Sequence, residues 1–228
     1  MEMFDKESSL YQPDTCKLLK GFIINKESPS FIDIGCNIGL ISLYMIKNVP
    51  GIKIYAFDPG PHQSGLFRRS ITKNNLGNQI ELFELALSNI DGEADFYIHK
   101  SENAPGDGFI DTERYGKTSK ILVKSNKLDT WWIKHSKPYI DLIKIDTEGA
   151  ELWVLEGAAE LINECRPVIV TEISKLNYKK YPYSAKDVYD KIVTYRYKVY
   201  TETMQLVTAE NLVLLQNSAI ENYVCIPL

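Results

Sequence analysis

Short apolar segments of strand length alternate with helical segments along most of this 228-residue chain. Five of the apolar segments read as strands, namely SFIDIG, IKIYAFD, IELFELAL, YIDLIKID and RPVIVTEI, and helical patterns such as IGLISLYMIKNV stand between most of them. This alternation predicts an α/β fold on a largely parallel sheet, in which ligands bind beyond the carboxyl ends of the strands. All five predicted strands end at or near a carboxylate, which indicates a polar ligand: Asp33, Asp58, Glu84, Asp146 and Glu172.

The remaining segments complete one predicted domain over residues 1–228. Residues 1–29 are expected to be an N-terminal helical extension, because DTCKLLKGFIINK reads as a short amphipathic helix. GEADFYIH is expected to be a fourth strand, and AELWVLEGAAELINE and SAKDVYDKIVTY to be helices. KVYTET and NLVLLQN are expected to form a terminal antiparallel pair.

Residues 100–120, KSENAPGDGFIDTERYGKTSK, have no hydrophobic period and are rich in glycine and charge. Stretches of this length without secondary structure are usually lids or binding loops. We therefore predict that this segment is a loop beside the ligand site.

Charge and cysteine content argue against several classes of partner. The formal net charge is −4 and the pI is near 5.5, so we expect no nucleic-acid partner. The four cysteines are far apart and form no Cys/His cluster, which argues against zinc and fits unpaired thiols in a reducing cytoplasm. No apolar run approaches the roughly 20 residues of a membrane span, and the N-terminus lacks the apolar core of a signal peptide. The oligomeric state stays open.

The first predicted strand runs into a turn with the pattern D-x-G-x-x-x-G, formed by Asp33, Gly35 and Gly39. Glycine permits positive φ and close backbone approach to a ligand. Asn37 stands where the dinucleotide-binding pattern G-x-G-x-x-G has its second glycine, and no P-loop lysine is present. Asp58 follows Gly35 by 23 residues, at the end of the next strand, where a carboxylate can accept hydrogen bonds from both ribose hydroxyls. Together these features predict a nucleoside ligand with a cationic tail rather than a polyphosphate.

The segment LIKIDTEGAE places charged residues in a strand that should be buried. Lys144 and Asp146 share a face because strand side chains alternate, and an unpaired buried lysine is costly, so we expect Lys144 to pair with Asp146 or Glu172. Two interpretations of this pair are open. It either only orients the ends of the strands, or it belongs to an acceptor site in which Asp146 and Glu148 take up the proton of a hydroxyl. Glu148 has a second open interpretation, as a cap on the following helix. Oxygen ligands of this kind suit Mg²⁺, and the sequence leaves a divalent metal undetermined.

Several of these segments together resemble the FkbM family of S-adenosylmethionine-dependent methyltransferases. The resemblance covers residues 31–172, and its blocks are FIDIGCNIGLISLYMIK, YAFDPGP, ELALSNIDGEADFYI, KLDTWW and YIDLIKIDTEGAELWVLEGAAELI with RPVIVTEI. It implies a class I methyltransferase (Rossmann-like) fold of the α/β class. That fold has a mostly parallel seven-stranded sheet, helices on both faces and an antiparallel C-terminal strand. The resemblance also implies methyl transfer, typically to an oxygen of a sugar or polyketide-like acceptor.

The resemblance further implies a cofactor site for S-adenosylmethionine. Residues of the glycine turn would surround the methionyl part and the sulfonium: Asp33, Gly35, Asn37 and Gly39. Asp58, followed by Pro59, would hold the ribose, and Leu85 and Ala86 would flank the adenine. Residues 100–120 would be the loop on the acceptor side.

The predicted function is O-methylation of a hydroxyl on a sugar, glycan or other small molecule, with Lys144, Asp146 and Glu148 as catalytic candidates. A carboxylate-rich loop favours an oxygen acceptor over a nucleobase nitrogen, for which related folds often use an Asn/Asp-Pro-Pro-aromatic loop. The histidines are alternative bases: His62, His99 and His135. Trp131 and Trp132 either stack on a sugar face or pack in the core.

Three other functions stay open. The first is a methyltransferase acting on RNA or protein, although the acidic pI and the missing Pro-Pro loop count against RNA. The second is an NAD-dependent reductase, against which the incomplete glycine triplet and the lack of a Tyr-x-x-x-Lys arrangement argue. The third is a nucleoside-binding module without catalytic activity.

Overall fold

The computed structural model describes residues 12–99, 106–113, 116–217 and 222–228. The helices in these ranges are α1 (Pro13–Ile23), α2 (Leu40–Asn48), α3 (Pro61–Lys73), α4 (Leu128–Lys134), α5 (Glu151–Glu156), α6 (Ala159–Cys165), α7 (Ala185–Thr194) and α8 (Ala209–Leu215). The strands are β1 (Ser30–Ile34), β2 (Lys53–Phe57), β3 (Ile80–Phe83), β4 (Ala86–Leu87), β5 (Gly92–His99), β6 (Thr118–Asn126), β7 (Leu142–Ile145), β8 (Val168–Glu172), β9 (Tyr197–Thr201), β10 (Leu206–Val207) and β11 (Asn222–Pro227). A short 3-10 helix, Asn177–Lys180, lies between β8 and α7.

The central sheet has the strand order β10-β9-β11-β8-β7-β1-β2-β3. Strands β3, β2, β1, β7 and β8 pair in parallel, and β11 is antiparallel to both of its neighbours, β8 and β9. The predicted mostly parallel sheet with an antiparallel C-terminal strand is confirmed. The two-residue strand β10 adds an eighth, antiparallel strand to the seven that were predicted.

The central strands are buried on both faces because helices cover both sides of the sheet. All residues of β1 and β7 are buried. Side chains alternate along β1, so Phe31 packs with apolar residues of α1–α3 and Ile32 with those of α4–α7. Burial on both faces explains the nearly continuous apolar runs of these strands. Asp33 and Lys144 are exceptions in these strands, because they are charged and buried.

The segment IELFELAL forms two strands in two sheets, and its prediction as one strand was wrong. Strand β3 pairs with β2, whereas β4 pairs with β6 in a separate three-stranded sheet of order β4-β6-β5. The predicted strand GEADFYIH is β5, and it also belongs to this second sheet. The segment divides because β4 pairs with β6. Since β6 is distant in sequence, nothing within the segment itself indicates this pairing.

Residues 211–215 of the segment NLVLLQN lie in helix α8, so its predicted strand was also wrong. A capping box begins this helix: Asn211 N donates to Thr208 Oγ1 at 3.4 Å, and Thr208 N donates to Asn211 Oδ1 at 2.8 Å. Strand β9 instead pairs with β10 and β11. Two reciprocal hydrogen bonds to otherwise unsatisfied backbone groups favour the helix over an extended strand.

The segment AELWVLEGAAELINE forms two helices, α5 and α6, rather than the single predicted one. The break falls at Gly157, where a Cβ atom would lie 2.0 Å from the carbonyl oxygen of Ser88. A side chain at position 157 would collide with this carbonyl group, so the connection between the two helices requires glycine there. Trp131 and Trp132 of α4 are 3% and 1% exposed, so of their two predicted roles the structure shows core packing.

The loop predicted over residues 100–120 is only partly described, since 100–105 and 114–115 lie outside the described residues. Residues 118–120 belong to β6, so the loop ends earlier than expected. Gly108 forms an antiparallel bridge with Tyr97 of β5, in which Tyr97 N donates to Gly108 O at 2.7 Å. Residues 106–109 therefore lie along the edge of the second sheet.

The helices of the described ranges are short, and the longest, α3, has 13 residues. Among them we find none with the length and apolar character that crossing a membrane requires.

Candidate active site

A cavity of about 550 Å³ opens at the carboxyl edge of the central sheet, near the ends of β7, β1 and β2. Its walls come from the turn after β1, the start of α3, the connection from β3 to β4, residues 106–109 and the loop after β7. All but one of the residues predicted for the site line it: Asp33, Gly35, Asn37, Asp58, Pro59, Leu85, Ala86, Lys144, Asp146 and Glu148. The exception is Gly39.

Close packing requires both glycines of the turn after β1. Gly35 has a φ of +73°, and a Cβ atom there would lie 1.8 Å from the carbonyl oxygen of Asp146. Gly39 has a φ of +80°, and a Cβ atom there would lie 2.2 Å from the Phe67 ring of α3. Gly39 therefore allows the turn to pack against α3. The sequence had predicted that Gly39 binds the cofactor, but it does not line the cavity.

Asp58 joins the glycine turn to the start of α3. Its Oδ2 accepts a hydrogen bond from Asn37 N and its Oδ1 one from Gly60 N, both at 2.8 Å. Asn37 adopts the left-handed conformation with a φ of +51°, which a glycine would adopt more easily, and its Oδ1 accepts from Ile38 N at 2.7 Å. Burial raises the pKa of Asp58 to about 6. Because a carboxylate offers about four acceptor positions, both oxygens retain capacity for a ligand.

Lys144 of β7 lies between two carboxylates. Its Nζ is 3.1 Å from Asp146 Oδ2 and 3.7 Å from Asp33 Oδ1. Asp33 is fully buried, and its Oδ2 accepts a 2.6 Å hydrogen bond from Ser42 Oγ. Burial raises the pKa of Asp33, although the Lys144 ammonium opposes this shift. The predicted pairing with Asp146 is confirmed, and Asp33 is a second partner that the sequence did not predict.

The buried carboxylate of Glu151 shapes the loop after β7. Its Oε1 accepts hydrogen bonds from Thr147 N and Thr147 Oγ1, both at 3.0 Å, and from Gly149 N at 3.2 Å. Glu151 is 0% exposed, and burial raises its pKa. Glu151 thus binds the backbone amides before α5, a role that the sequence had left open for Glu148. Glu148 lines the cavity in the left-handed conformation, with a φ of +55°.

Aromatic side chains hold this loop from the outside. A Cβ atom at Gly149 would lie 2.3 Å from the Tyr181 ring, and the Tyr183 hydroxyl donates a hydrogen bond to Gly149 O. The Trp153 ring contacts both tyrosines, with centroid distances of 5.2 Å to Tyr181 and 5.7 Å to Tyr183. The loop that presents the two candidate acid–base carboxylates is therefore fixed on both sides.

The opposite end of the cavity is mostly apolar. Pro59, Leu85 and Ala86 line it, together with Leu66 of α3 and Phe96 of β5. Such a lining suits a flat apolar ring better than a charged group.

Asp107 adds a carboxylate to the cavity that the sequence did not single out. Its Oδ1 accepts a hydrogen bond from His99 N at 2.8 Å and lies 3.0 Å from His99 Nδ1. Its Oδ2 accepts one from Gln63 Nε2 at 3.0 Å. These partners belong to β5 and α3, so no local pattern marks Asp107 as a site residue.

Two of the strand-end carboxylates do not line the cavity. Glu84 Oε1 forms an ion pair with Arg68 Nη2 at 2.7 Å, and Glu172 Oε2 accepts from Asn177 Nδ2 at 2.9 Å. In the part of the chain that the structure describes, no three His, Cys, Asp or Glu side chains are grouped to hold a metal ion. The suggested Mg²⁺ therefore gains no support.

The three histidines occupy different surroundings. His62 is exposed at the start of α3 and lines the cavity, whereas the side chain of His99 is buried beside Asp107. The His135 ring stacks on Trp131 at a centroid distance of 4.7 Å, away from the cavity lining. Of these alternative bases, His62 is the one whose side chain reaches the cavity.

The strand order and the cavity at the carboxyl edge define a class I methyltransferase fold. Solved methyltransferases share it. One is the FkbM methyltransferase from Methylobacillus flagellatus, with a TM-score of 0.56 and 15% identity, covering 99% of this chain and 48% of that one. Another is an O-methyltransferase from Bacillus cereus in complex with SAH, with a TM-score of 0.54 and 13% identity, covering 94% and 80%. At such identities the likeness shows the fold alone, and it confirms the predicted fold class.

Residues 33–199 match the Methyltransferase FkbM domain, and the chain belongs to this family of methyltransferases. It is 28% identical over 166 residues to 2-O-methyltransferase NoeI of Sinorhizobium fredii, covering 67% of this chain and 66% of that protein. It is 30% identical over 161 residues to methyltransferase sdnD of Sordaria araneosa, covering 58% and 61%. The chain thus spans slightly less than two thirds of the length of these curated relatives.

Proposed function

We propose that this chain transfers a methyl group from S-adenosylmethionine to a hydroxyl of a sugar, glycan or other small molecule. One observation carries the proposal. A single cavity is lined by Asp58, the carboxylate proposed to bind ribose, and by Asp146 and Glu148, the two carboxylates proposed to take up a proton. The family assignment favours methyl transfer over the reductase and the silent binding module.

The residues present fit S-adenosylmethionine. Asp58 keeps acceptor capacity on both oxygens, which suits two ribose hydroxyls. Leu85 and Ala86 give the adenine ring an apolar contact. At the other end, Asp33 and Asp146 outnumber the single ammonium of Lys144, which suits the cationic methionyl sulfonium tail.

The bound cofactor would supply an electrophilic methyl group on sulfur. The protein would place the acceptor hydroxyl in line with it and take up the hydroxyl proton. Asp146 and Glu148 are the candidate proton acceptors, and the Lys144 ammonium orients the Asp146 carboxylate at 3.1 Å. Gly108, in the described part of the proposed acceptor-side loop, approaches Glu148, since a Cβ atom at Gly108 would lie 3.8 Å from Glu148 Cβ.

The NoeI relative is named as a 2-O-methyltransferase, which supports an oxygen acceptor. The acidic net charge and the carboxylates of the cavity support a neutral small molecule over RNA. No described feature favours a protein acceptor.

Calorimetric titration with S-adenosylhomocysteine, NAD and ATP tests the cofactor class. We expect saturable binding of S-adenosylhomocysteine alone. Binding of NAD without binding of S-adenosylhomocysteine would refute the proposal.

Methyl-labelled S-adenosylmethionine tests the acceptor class. The protein is incubated with neutral mono- and oligosaccharides, with small hydroxylated metabolites, with RNA and with a protein extract, each with and without EDTA. We expect label on a small-molecule hydroxyl. A lower rate of labelling with EDTA than without it would show that a metal takes part. Label recovered in RNA or protein instead would establish the alternative function.

A further inference from the structure

We propose that residues 106–109, here called the strap, close over the cavity, and that the hydrogen bond between Gln63 and Asp107 is the latch that holds the strap shut. The inference rests on the proposed use of S-adenosylmethionine and goes beyond it. It concerns the rate at which a bound ligand exchanges with solution, and it gives neither residue of the latch a part in recognising the ligand.

The strap crosses the cavity between two walls that lie on either side of β1. Asp107 Oδ2 accepts a hydrogen bond at 3.0 Å from Gln63 Nε2 of α3, the helix that follows β2. Gly108 lies against the loop after β7, since a Cβ atom there would be 3.8 Å from Glu148 Cβ. The strand order is β7-β1-β2, and neighbouring strands lie about 4.8 Å apart, so the strap spans about 10 Å across the end of β1. All strap residues except Gly108 line the cavity.

The strap is fixed to the second sheet and to α5. Tyr97 N of β5 donates to Gly108 O at 2.7 Å, and Gly108 N donates to Tyr97 O at 3.1 Å. The Phe109 ring contacts Phe96 of β5 and Trp153 of α5, both at a centroid distance of 5.9 Å. Paired backbone hydrogen bonds and aromatic packing therefore hold this side of the strap in place.

Hydrogen bonding between the strap and α3 is limited, within the described ranges, to the bond between Gln63 and Asp107. Gln63 is half-buried, and the side chain of Asp107 is 15% exposed. His99 N of β5 donates to the other oxygen of Asp107, Oδ1, at 2.8 Å, so the carboxylate stays with β5 when the latch breaks. The strap can therefore separate from α3 through the loss of one hydrogen bond.

The latch lies beside the residue proposed to bind ribose. A Cβ atom at Gly60 would be 2.6 Å from Gln63 Oε1 and 3.0 Å from Asp58 Oδ1. The closed strap thus reaches the turn that carries Asp58, after crossing the end of β1 with its glycine turn. A ligand held by these two turns would leave the cavity once the strap has opened. Lids of this kind commonly set the rates of ligand exchange.

The latch contains no ligand atom. It therefore stabilises the closed strap by the same amount with and without bound ligand. Loss of the latch should raise the rates of association and dissociation by the same factor and leave Kd unchanged. Loss of a side chain that binds the ligand directly would instead raise Kd, mostly through faster dissociation.

The probe is S-adenosylhomocysteine, and the test follows its release. Dissociation of the tritiated ligand is measured after addition of excess unlabelled ligand, and Kd is measured by calorimetry, so that their ratio gives the association rate. The proteins are the wild type, Q63E, Q63L, the double variant Q63E/D107N and D95N. D95N is the matched control, because Asp95 accepts from Lys120 Nζ at 3.0 Å in the same sheet as β5, is exposed and does not line the cavity.

We expect Q63E and Q63L to release the ligand about 5- to 50-fold faster than the wild type, the scale of one hydrogen bond to a carboxylate. Their Kd should stay within about threefold of the wild-type value, and D95N should match the wild type in both quantities. The double variant should return to slow release, because the amide of D107N can donate to the carboxylate of Q63E and still accept from His99 N.

Thermal midpoints establish that each variant is folded. Q63L carries the test if Q63E does not fold. D107S, which should release the ligand as fast as Q63L, replaces the double variant if that protein does not fold.

Three outcomes would overturn the inference. Release at the wild-type rate in the variants of Gln63 shows that the strap does not limit exchange. A raised Kd with an unchanged association rate shows that Gln63 binds the ligand directly. A double variant that releases the ligand as fast as Q63E shows that Asp107 is not the partner that closes the strap. By contrast, a wild type that does not bind S-adenosylhomocysteine refutes the proposed function itself, and this inference with it.

Discussion

The backbone of Gly35 lies so close to Asp146 that a Cβ atom at position 35 would be 1.8 Å from the Asp146 carbonyl oxygen. The two residues directly follow the paired strands β1 and β7. This contact sets how closely the glycine turn and the acidic loop approach each other. Its consequence for stability can be measured directly.

Gly35→Ala should destabilise the protein far more than Gly51→Ala. Both glycines have a φ of +73°, but a Cβ atom at Gly51 would meet nothing within 4 Å. We expect Gly51→Ala to cost about 1 kcal/mol, from backbone strain alone, and Gly35→Ala about 1–3 kcal/mol more, from overpacking. Urea unfolding followed by circular dichroism measures both. Equal losses would mean that the backbone at Gly35 moves aside at little cost.

Asp58→Ala should weaken binding of S-adenosylhomocysteine by about 10- to 100-fold, because it removes the proposed acceptor of the ribose hydroxyls. Isothermal calorimetry measures the change, and the exposed Asp14→Asn serves as a control for loss of one carboxylate. Unchanged affinity in Asp58→Ala would remove Asp58 from the ribose role.

Cofactor affinity should fall as the pH drops through about 6, the pKa to which burial raises Asp58. Protonation of Asp58 removes a hydrogen-bond acceptor and the negative charge that the ribose hydroxyls would bind. The affinity should therefore fall by up to tenfold for each pH unit below that pKa. The stability of the unliganded protein depends on pH in the opposite direction. The folded pKa exceeds the unfolded value of 3.8, so the contribution of Asp58 to stability is largest below pH 4 and is lost as the pH rises to about 6.

The measurement is calorimetry with S-adenosylhomocysteine from pH 5 to pH 8, repeated with Asp58→Asn. The substituted protein should lose this component of the pH dependence. A profile identical to that of the wild type would assign the pH effect to another group.

If Asp146 takes up the acceptor proton, Asp146→Asn should lower turnover by about 100-fold or more. The affinity for S-adenosylhomocysteine should change little, because the sulfur of this ligand is an uncharged thioether. Lys144 retains Asp33 at 3.7 Å, so the loss of stability should be smaller than for a buried ammonium without any partner. Thermal midpoint and single-turnover methyl transfer are measured on one preparation. A destabilised variant with full activity would reduce Asp146 to a partner of Lys144.

Glu148→Gly should keep the stability of the protein within about 1 kcal/mol but abolish most turnover. Glycine removes the strain of the left-handed backbone at Glu148, which stabilises the fold, but it also raises the entropy of the unfolded chain, which destabilises it. The two effects nearly cancel. Glu113→Gly is the matched control, because Glu113 has a φ of +56° against +55° for Glu148 and is exposed. Comparable activity in the two variants would exclude Glu148 from proton transfer.

Local chemistry explains why much of the site was predictable. Gly35 and Asp58 stand out because a tight turn needs positive φ and because an acidic strand end at this spacing suits a ribose. Lys144 and Asp146 stand out because charge interrupts a strand that is otherwise apolar. The glycine turn and the charged strand positions are each marked within a few residues, and the carboxylate of Asp58 by its spacing from Gly35 along the chain, so the sequence alone carries these signals.

Two of the elements that were predicted wrongly involve distant partners. IELFELAL divides because β4 pairs with β6, and the break in AELWVLEGAAELINE falls at Gly157, whose backbone lies against Ser88. NLVLLQN was a misread local signal, since Thr208 and Asn211 form a capping box that the sequence already contains.

Hydrophobic period and backbone preference act locally, so the α/β class, the glycine turn and the carboxylates at the ends of β1, β2 and β7 could be predicted from the residues alone. Long-range packing was needed to show that Lys144 also meets Asp33, that Glu151 rather than Glu148 binds the amides before α5, and that Asp107 lines the cavity. Burial of a carboxylate is tolerated only where donors surround it. Several of these donors come from neighbouring strands and helices, whose positions exist only once the sheet has formed.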